Sequence, residues 1–318
     1  MNNFDLSNYP IRKYDNFHFS SRKRNAFEGF YFKVAKKDGT TLVIICGYAK
    51  SPEKSHAFIQ VSSQFISTLY FEYPIDSLKM GTGRFEFSIG NNHFNTRGIK
   101  LTEKNCNVDL SISMFLPWKR TALKPSIMGQ LSRIPLVECK HDVIAPSLEV
   151  SGNIEIENNN IRFDNDSGYI DKNWGSSFPR KYKWGHISGF DDPTVSIQFA
   201  LGRPKWLGIP FPVYVGFFKI KDQIYIFNSL NQGKITMINI GHNELIMENK
   251  IFRIHAKFGQ GHPLNLFAPS QGKLEDSIIE NAGITTEVKV FQKNNLNKYQ
   301  LIINETVNDA TLEIRGEE

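Results

Sequence analysis

The chain of 318 residues predicts an all-β fold, and three observations predict it. Short runs in which apolar and polar residues alternate recur along its length, as in FEFSIG at 85–90 and VDLSISMFL at 108–116. Turn formers separate them, among them DGT, SPEK, GTG and GNN. Helical periodicity is nearly absent, the one candidate being a turn or two within EDSIIENA.

Residues 1–26 are polar, with Pro10 and a basic run, and read as an arm laid over the fold. Strands are expected at 27–35, 41–48, 56–62, 67–73, 84–89, 98–102 and 107–115. From Pro117 to Pro135 the alternation stops, and the segment is too long for a hairpin; it is expected to cross a barrel mouth or join two halves. Strand character returns at 136–145, in SLEVSGNIEIE and in NIRF. Further strands follow at 194–200, 213–220, 223–228, 233–240, 243–249, 250–257, 285–292, 298–304 and 310–315, with KIKDQIYIF a hairpin on a two-residue turn. About twenty strands divide into two barrels or sandwiches of roughly eight to ten each. The expected units are 27–150 and 151–318.

Composition narrows the function. A hydrophobic fraction of 40% with 13% aromatic is that of a folded globular protein. No apolar run approaches 18 residues, and the N-terminus lacks the charged start and apolar core of a secretory signal, so a cytoplasmic protein is expected. Cys46, Cys106 and Cys139 form neither a disulfide framework nor a zinc spacing, and Cys46 in LVIICGY reads as a core thiol. The net charge of +6 is spread over short clusters without a nucleic-acid-binding pattern, so no nucleic acid partner is expected. A weak attraction to an anionic membrane surface remains. The eight His are scattered without metal-ligand spacing, and phosphate-cradle and nucleophile-elbow patterns are absent.

The stretch that ordinary strand patterning does not explain is Gly168–Phe190, GYIDKNWGSSFPRKYKWGHISGF. With period 2, Tyr169, Asp171 and Asn173 share one face of a strand, while Ile170, Lys172 and Trp174 share the other. After a turn at GSSFP, Tyr182, Trp184, His186 and Ser188 share a face of a second strand. If the two strands are neighbours, an acid, an imidazole and several aromatic rings converge on one cavity. The alternative is an aromatic-rich seam whose polar tips are merely hydrogen-bonded.

GYIDKNWGSSFP, followed by KYKWGHISGF, resembles the signature of the tocopherol cyclase-like family. Similar blocks stand in the same order at 27–34 (FEGFYFKV), 56–61 (HAFIQV), 71–75 (FEYPI), 127–143 (IMGQLSRIPLVECKHDV), 147–152 (SLEVSG), 206–211 (WLGIPF) and 266–282 (LFAPSQGKLEDSIIENA). The resemblance implies two lipocalin-like β-barrel domains side by side. It also implies acid catalysis in a barrel cavity: protonation of an alkene in a prenyl tail and capture of the tertiary cation by a phenol oxygen, with no cofactor and no metal. Such chemistry needs a carboxylic acid held protonated by an apolar setting, and aromatic faces for the cation.

Asp171 is the first choice for the acid, its alternative being a rim carboxylate paired with Lys172 or Arg180. Glu28 and Glu72 are lone acids within aromatic strands, for which solvent exposure is the simpler reading. His186 completes the catalytic candidates. Glu138 and His141 alternate to opposite faces, and Glu280 is read as capping a turn. The ligand-binding candidates are Tyr169, Asn173, Trp174, Phe178, Trp184, Phe30, Tyr73 and His141, with Trp206 a further aromatic. The sequence departs from the family pattern at Asp171 (commonly Glu), Asn173 (a second acid), Gly185 (a larger residue), His186 and Ser188 (Gln and Asn), Lys140 (an aromatic) and Pro146–Leu148 (an Asp–His pair). Two functions follow: an enzyme acting on an isoprenoid or other hydrophobic small molecule, or a non-catalytic carrier of a lipid. A filled interior would make the protein purely structural.

Overall fold

The computed structural model describes residues 17–18, 24–81, 86–118, 120–121, 125–230, 233–240 and 242–316. Two antiparallel sheets, each curled into a nearly closed barrel, account for most of these residues, as the lipocalin-like expectation requires. No helix among the described residues is long and apolar enough to cross a membrane.

The first sheet contains β1 (Ala26–Ala35), β2 (Thr41–Lys50), β3 (Ser55–Ser63), β4 (Ile66–Pro74), β5 (Leu78–Met80), β6 (Glu86–Ile89), β7 (Asn92–Asn95), β8 (Gly98–Glu103), β9 (Cys106–Leu116), β10 (Cys139–Ile156) and β11 (Asn159–Gly175). Its order is β4-β3-β2-β1-β11-β10-β9-β8-β7-β6-β5, so β11 returns to pair with β1. The second sheet begins with β12 (Tyr182–Ile187) and β13 (Ser196–Gly202); a separate hairpin, β14 (Lys205–Trp206) and β15 (Ile209–Pro210), interrupts it. It continues with β16 (Val213–Ile220), β17 (Gln223–Asn228), β18 (Lys234–Ile240), β19 (His242–Glu248), β20 (Phe252–Phe258), β21 (His262–Ser270), β22 (Lys273–Lys293) and β23 (Tyr299–Arg315). Here the order is β17-β16-β13-β12-β23-β22-β20-β19-β18, with β21 also on β22.

Alternation decides what fills each barrel. Phe30 and Phe32 of β1 join Phe94, Phe115 and Phe163 inside the first, and Phe199, Phe218, Phe252 and Val290 fill the second. Tyr31, from the opposite face of β1, belongs to a third apolar cluster with Tyr169, Trp184, Phe217 and Leu266, drawn from both sheets. The strands at this seam are therefore covered on both faces, and β1 shows it in an almost unbroken buried run.

Several expectations change. The chain passes from the first sheet to the second between Gly175 and Tyr182, because β10 and β11 form one long bulged ribbon running across position 150. EDSIIENA is not helical: it lies in β22, where residues alternate between exposed and buried and pair on both sides with β21 and β23. The 117–135 segment does not join the halves, since β10 stays in the first sheet. Its described part contains one short 3₁₀ turn at Gly129–Arg133. It lays Trp118, Ile127 and Met128 into the seam, where the Asn228 amide donates to the Ile127 carbonyl. The hairpin at Lys221–Asp222 forms as expected. Of the expected arm only Phe17, His18 and 24–26 are described, and Phe17 packs on Phe30 and Phe87. The first two positions of the strand expected at 84–89 lie outside the described residues.

Candidate functional site in the seam between the barrels

Buried apolar clusters occupy both barrels among the described residues, and a cavity lies between the two sheets. Its empty volume is about 1100 Å³, the open space at its mouth included. Phe27, Gly29, Tyr31, His141, Asp171 and Asn173 line it from the first sheet; Tyr182, Trp184, Val215, Ile278, Glu280 and Glu313 line it from the second, with Phe178 from the connection. The split of Tyr169, Asp171 and Asn173 from Ile170, Lys172 and Trp174 is as read from the sequence. The manner of convergence differs, because β11 and β12 are not paired but face each other across the seam, with the Tyr169 ring 6.4 Å from Trp184.

Three carboxyl groups, Asp171, Glu280 and Glu313, reach this cavity, and each accepts a hydrogen bond from a tyrosine. Tyr169 donates to Asp171 Oδ2 (3.1 Å), Tyr31 to Glu280 Oε1 (2.8 Å) and Tyr182 to Glu313 Oε1. Trp184, Glu313 and Glu280 stand in one row across β12, β23 and β22, consecutive partners in the register. Among the described residues none of the three has a Lys or Arg nitrogen within ion-pairing distance, and the rim pairing of Asp171 with Lys172 or Arg180 is not formed. Burial therefore controls their charge. It raises Asp171 well above the usual carboxylate range, against the Tyr169 hydrogen bond and with further upward pressure from Glu280 and Glu313. Burial also pushes Glu280 up to about 7, opposed by the Tyr31 hydrogen bond, and Glu313 up to about 8, opposed by Arg315. Asp171 Oδ1, Glu280 Oε2 and the Trp184 indole nitrogen are buried and complete no hydrogen bond.

His141 is held neutral, its imidazole pushed down to about 4 by burial. Its Nδ1 lies 3.1 Å from Asn173 Oδ1, and Gln198 Nε2 lies 3.2 Å from its Nε2. This pattern suits the tautomer with the proton on Nδ1. His141 Nε2 is 3.9 Å from Asp171 Oδ2, beyond hydrogen-bond reach. His186 does not line the cavity. It is stacked under Tyr169 with ring centroids 4.1 Å apart, between Lys33 Nζ at 3.3 Å and Ser196 Oγ at 3.0 Å.

Other sequence candidates lie elsewhere. Glu28, Phe30 and Trp174 face the first barrel's interior side, because strand alternation puts them opposite Tyr31 and Asp171. There Lys172 Nζ sits 2.9 Å from Glu28 and 5.1 Å from the Trp174 ring. His18 is 2.7 Å from Glu28 and stacks on Trp174. Lys172 and His18 together hold Glu28 below its usual carboxylate range despite its burial. Glu72 pairs with Lys54 at 2.6 Å on the surface, its side chain 42% exposed. Tyr73 donates to Glu103 at the edge of the first barrel, and Trp206 is 45% exposed on the β14–β15 hairpin. Among the described residues no three His, Cys, Asp or Glu side chains are grouped to hold a metal ion.

Over residues 86–316 the sequence matches the family described as tocopherol cyclase-like. The chain belongs to that family. The blocks FEGFYFKV, HAFIQV and FEYPI precede the matched span, and the others lie within it. Solved structures share the family member's fold at low identity. A protein assigned as AttH from Nitrosomonas europaea is 10% identical, with a TM-score of 0.53 over 97% of this chain and 98% of that one. CghA bound to Sch210972 is 8% identical, with a TM-score of 0.59 over 92% and 89%. At such identities the likeness is one of fold. No curated protein sequence matches the chain significantly.

Within this tocopherol cyclase-like chain the departures from the family pattern spread beyond the cavity. Gly185 faces the second barrel, where a Cβ would come within 2.6 Å of the Phe199 ring. Ser188 is tied to Asp309 and Ser167, whereas Lys140 lies on the cavity wall and donates to the Ser132 carbonyl. Glu280 and Glu313 are the cavity residues that strand patterning concealed: Glu280 is expected from the sequence to cap a turn, and nothing singles out Glu313 within the strand expected at 310–315.

Proposed function

We propose that this protein catalyses proton-initiated cyclisation, or hydration, of an isoprenoid or similarly apolar small molecule in the seam between its barrels, with Asp171 as the proton donor. The observation that supports it is a buried carboxylic acid without a cation, whose second oxygen is unpartnered beside a largely apolar, aromatic-walled cavity. Kept neutral by burial, Asp171 can deliver its proton to an alkene carbon. The Tyr169 hydrogen bond then stabilises the carboxylate left behind. Trp184, Tyr31 and Phe178 offer ring faces to the tertiary cation. A substrate hydroxyl, or water in the hydration variant, forms the new C–O bond, and its proton passes to a carboxylate, either Asp171 or Glu280. Atoms and charge balance without an external oxidant or reductant. Membership of the tocopherol cyclase-like family supports the same reading.

The test is to identify what co-purifies by native mass spectrometry and to assay that compound, or a prenylated phenol, with wild type and Asp171→Asn. Turnover should fall by roughly two to four orders of magnitude, as for loss of a general acid, with ligand binding retained. In D2O the product should carry one deuterium on carbon. A bound saturated lipid, no turnover and no effect of the substitution would instead make the protein a carrier.

A further inference from the structure

The hairpin β14–β15 has no role in either barrel, yet its construction is specific. Its tip presents Trp206, Leu207, Gly208 and Ile209, with Leu207 65% and Ile209 71% exposed, and a side chain built on Gly208 would meet nothing within 4 Å. Leu136, 72% exposed, joins them from the adjoining segment, which bridges to the hairpin through Val137 and Trp206. Leu136 and Leu207 both adopt left-handed backbone, at φ 61° and 51°. That conformation is costly for bulky side chains and persists where the surroundings impose it.

Several polar groups of this projection are already satisfied. The Trp206 indole donates to the Pro135 carbonyl at 3.1 Å, and Phe211 N–H donates to Pro204. Glu138 N–H donates to Lys205, while Lys205 N–H donates to the Glu138 carboxylate. Pro210 and Pro212 have no N–H to satisfy. The tip can thus enter an apolar medium with few unpaired donors. Its charge is predominantly basic: Arg203 and Lys205 stand at the root and Arg133 on the neighbouring turn, against the single carboxylate of Glu138, and residues 199–213 contain no acid. At the root, Pro204 is itself part of the cavity wall.

We propose that residues 203–211, with Leu136, form a wedge that inserts into an anionic lipid bilayer and brings the cavity wall against the membrane surface. The convex apolar tip, the interfacial tryptophan and the basic root fit a lipid surface, whereas a protein partner would have to supply a matching pocket. The inference is independent of catalysis.

The test uses the full chain with vesicles of phosphatidylcholine alone and mixed with phosphatidylglycerol. Trp118, Trp174 and Trp184 are buried, so a blue shift of emission on binding reports Trp206. Flotation should show binding that favours the phosphatidylglycerol vesicles and weakens with salt, accompanied by that shift. The exposed-site double variant Leu207→Ser/Ile209→Ser should keep its circular dichroism and thermal unfolding, and bind at least about tenfold more weakly, having lost two inserted aliphatic side chains. Failure to bind either vesicle would overturn the wedge, as would binding with neither an emission shift nor an effect of the double variant. A change of oligomeric state in the variant, seen by sedimentation, would assign the tip to a second copy instead.

Discussion

Asp171 and Lys172 are adjacent in the sequence and point to opposite sides of one strand, and the two sides treat a buried acid in opposite ways. On the first barrel's side, Glu28 is fully buried but has Lys172 and His18 against it, so it remains an ion. On the seam side, Asp171, Glu280 and Glu313 are also buried, with no Lys or Arg against them among the described residues, so burial shifts each toward the neutral form, Asp171 and Glu313 further than Glu280. Burial alone therefore does not mark an acid suited to proton donation. What distinguishes the seam is burial without a counter-cation, beside open volume.

The comparison is broken most severely by removing the cation. Lys172→Met should cost about 3–5 kcal/mol of stability in denaturant unfolding, because it strands the Glu28 carboxylate. The double variant with Glu28→Gln should recover much of that loss. On the seam side the sign is reversed. Glu313 has a folded pKa of about 8 against an ordinary value of 4.5, so the folded state holds a proton that the unfolded chain releases between those limits. Stability should decline as pH rises through that window and level off above it. Glu313→Gln removes the Glu313 share of this decline, leaving those of Asp171 and Glu280, and should stabilise the protein by a few kcal/mol, on the order of the linkage term, above about pH 8 while changing little below pH 4.5. Thermal unfolding across pH reads this directly, and an unchanged slope would show that Glu313 is ionised in the fold. The smallest effect belongs to the surface: Glu72→Gln breaks the exposed pair with Lys54 and the longer contact with His56, and should alter stability by no more than about 0.5 kcal/mol, with turnover unchanged.

These contrasts also explain what the sequence conveyed. The fold class was legible because strands and turns are local, and the two faces of β11 were legible because side-chain alternation is strict. The same rule misled at the seam. In TLEIR, alternation assigns Leu312 to a core and Glu313 to water, but β23 is covered on both faces, by its own barrel and by the opposing sheet. Glu280 was hidden by a short helix-like pattern that the flanking β21 and β23 override. Phe30 and Trp174 were expected at the ligand because they are aromatic and lie in family blocks, although their positions in the alternation already placed them away from Asp171. The location of the cavity between the barrels depends on how two sheets dock, and no local pattern encodes that.

Since the first sheet is complete at Gly175 and the opposing wall includes Glu313 near the end of β23, the site has a history during synthesis. A domain that folds as it leaves the ribosome would present Asp171 on an open, hydrated face, where an acid of its type is ionised. Only when the residues around 313 emerge and the second sheet docks does water leave and the proton return. Closure of the seam over Asp171 therefore waits on β23, the last strand of the second sheet.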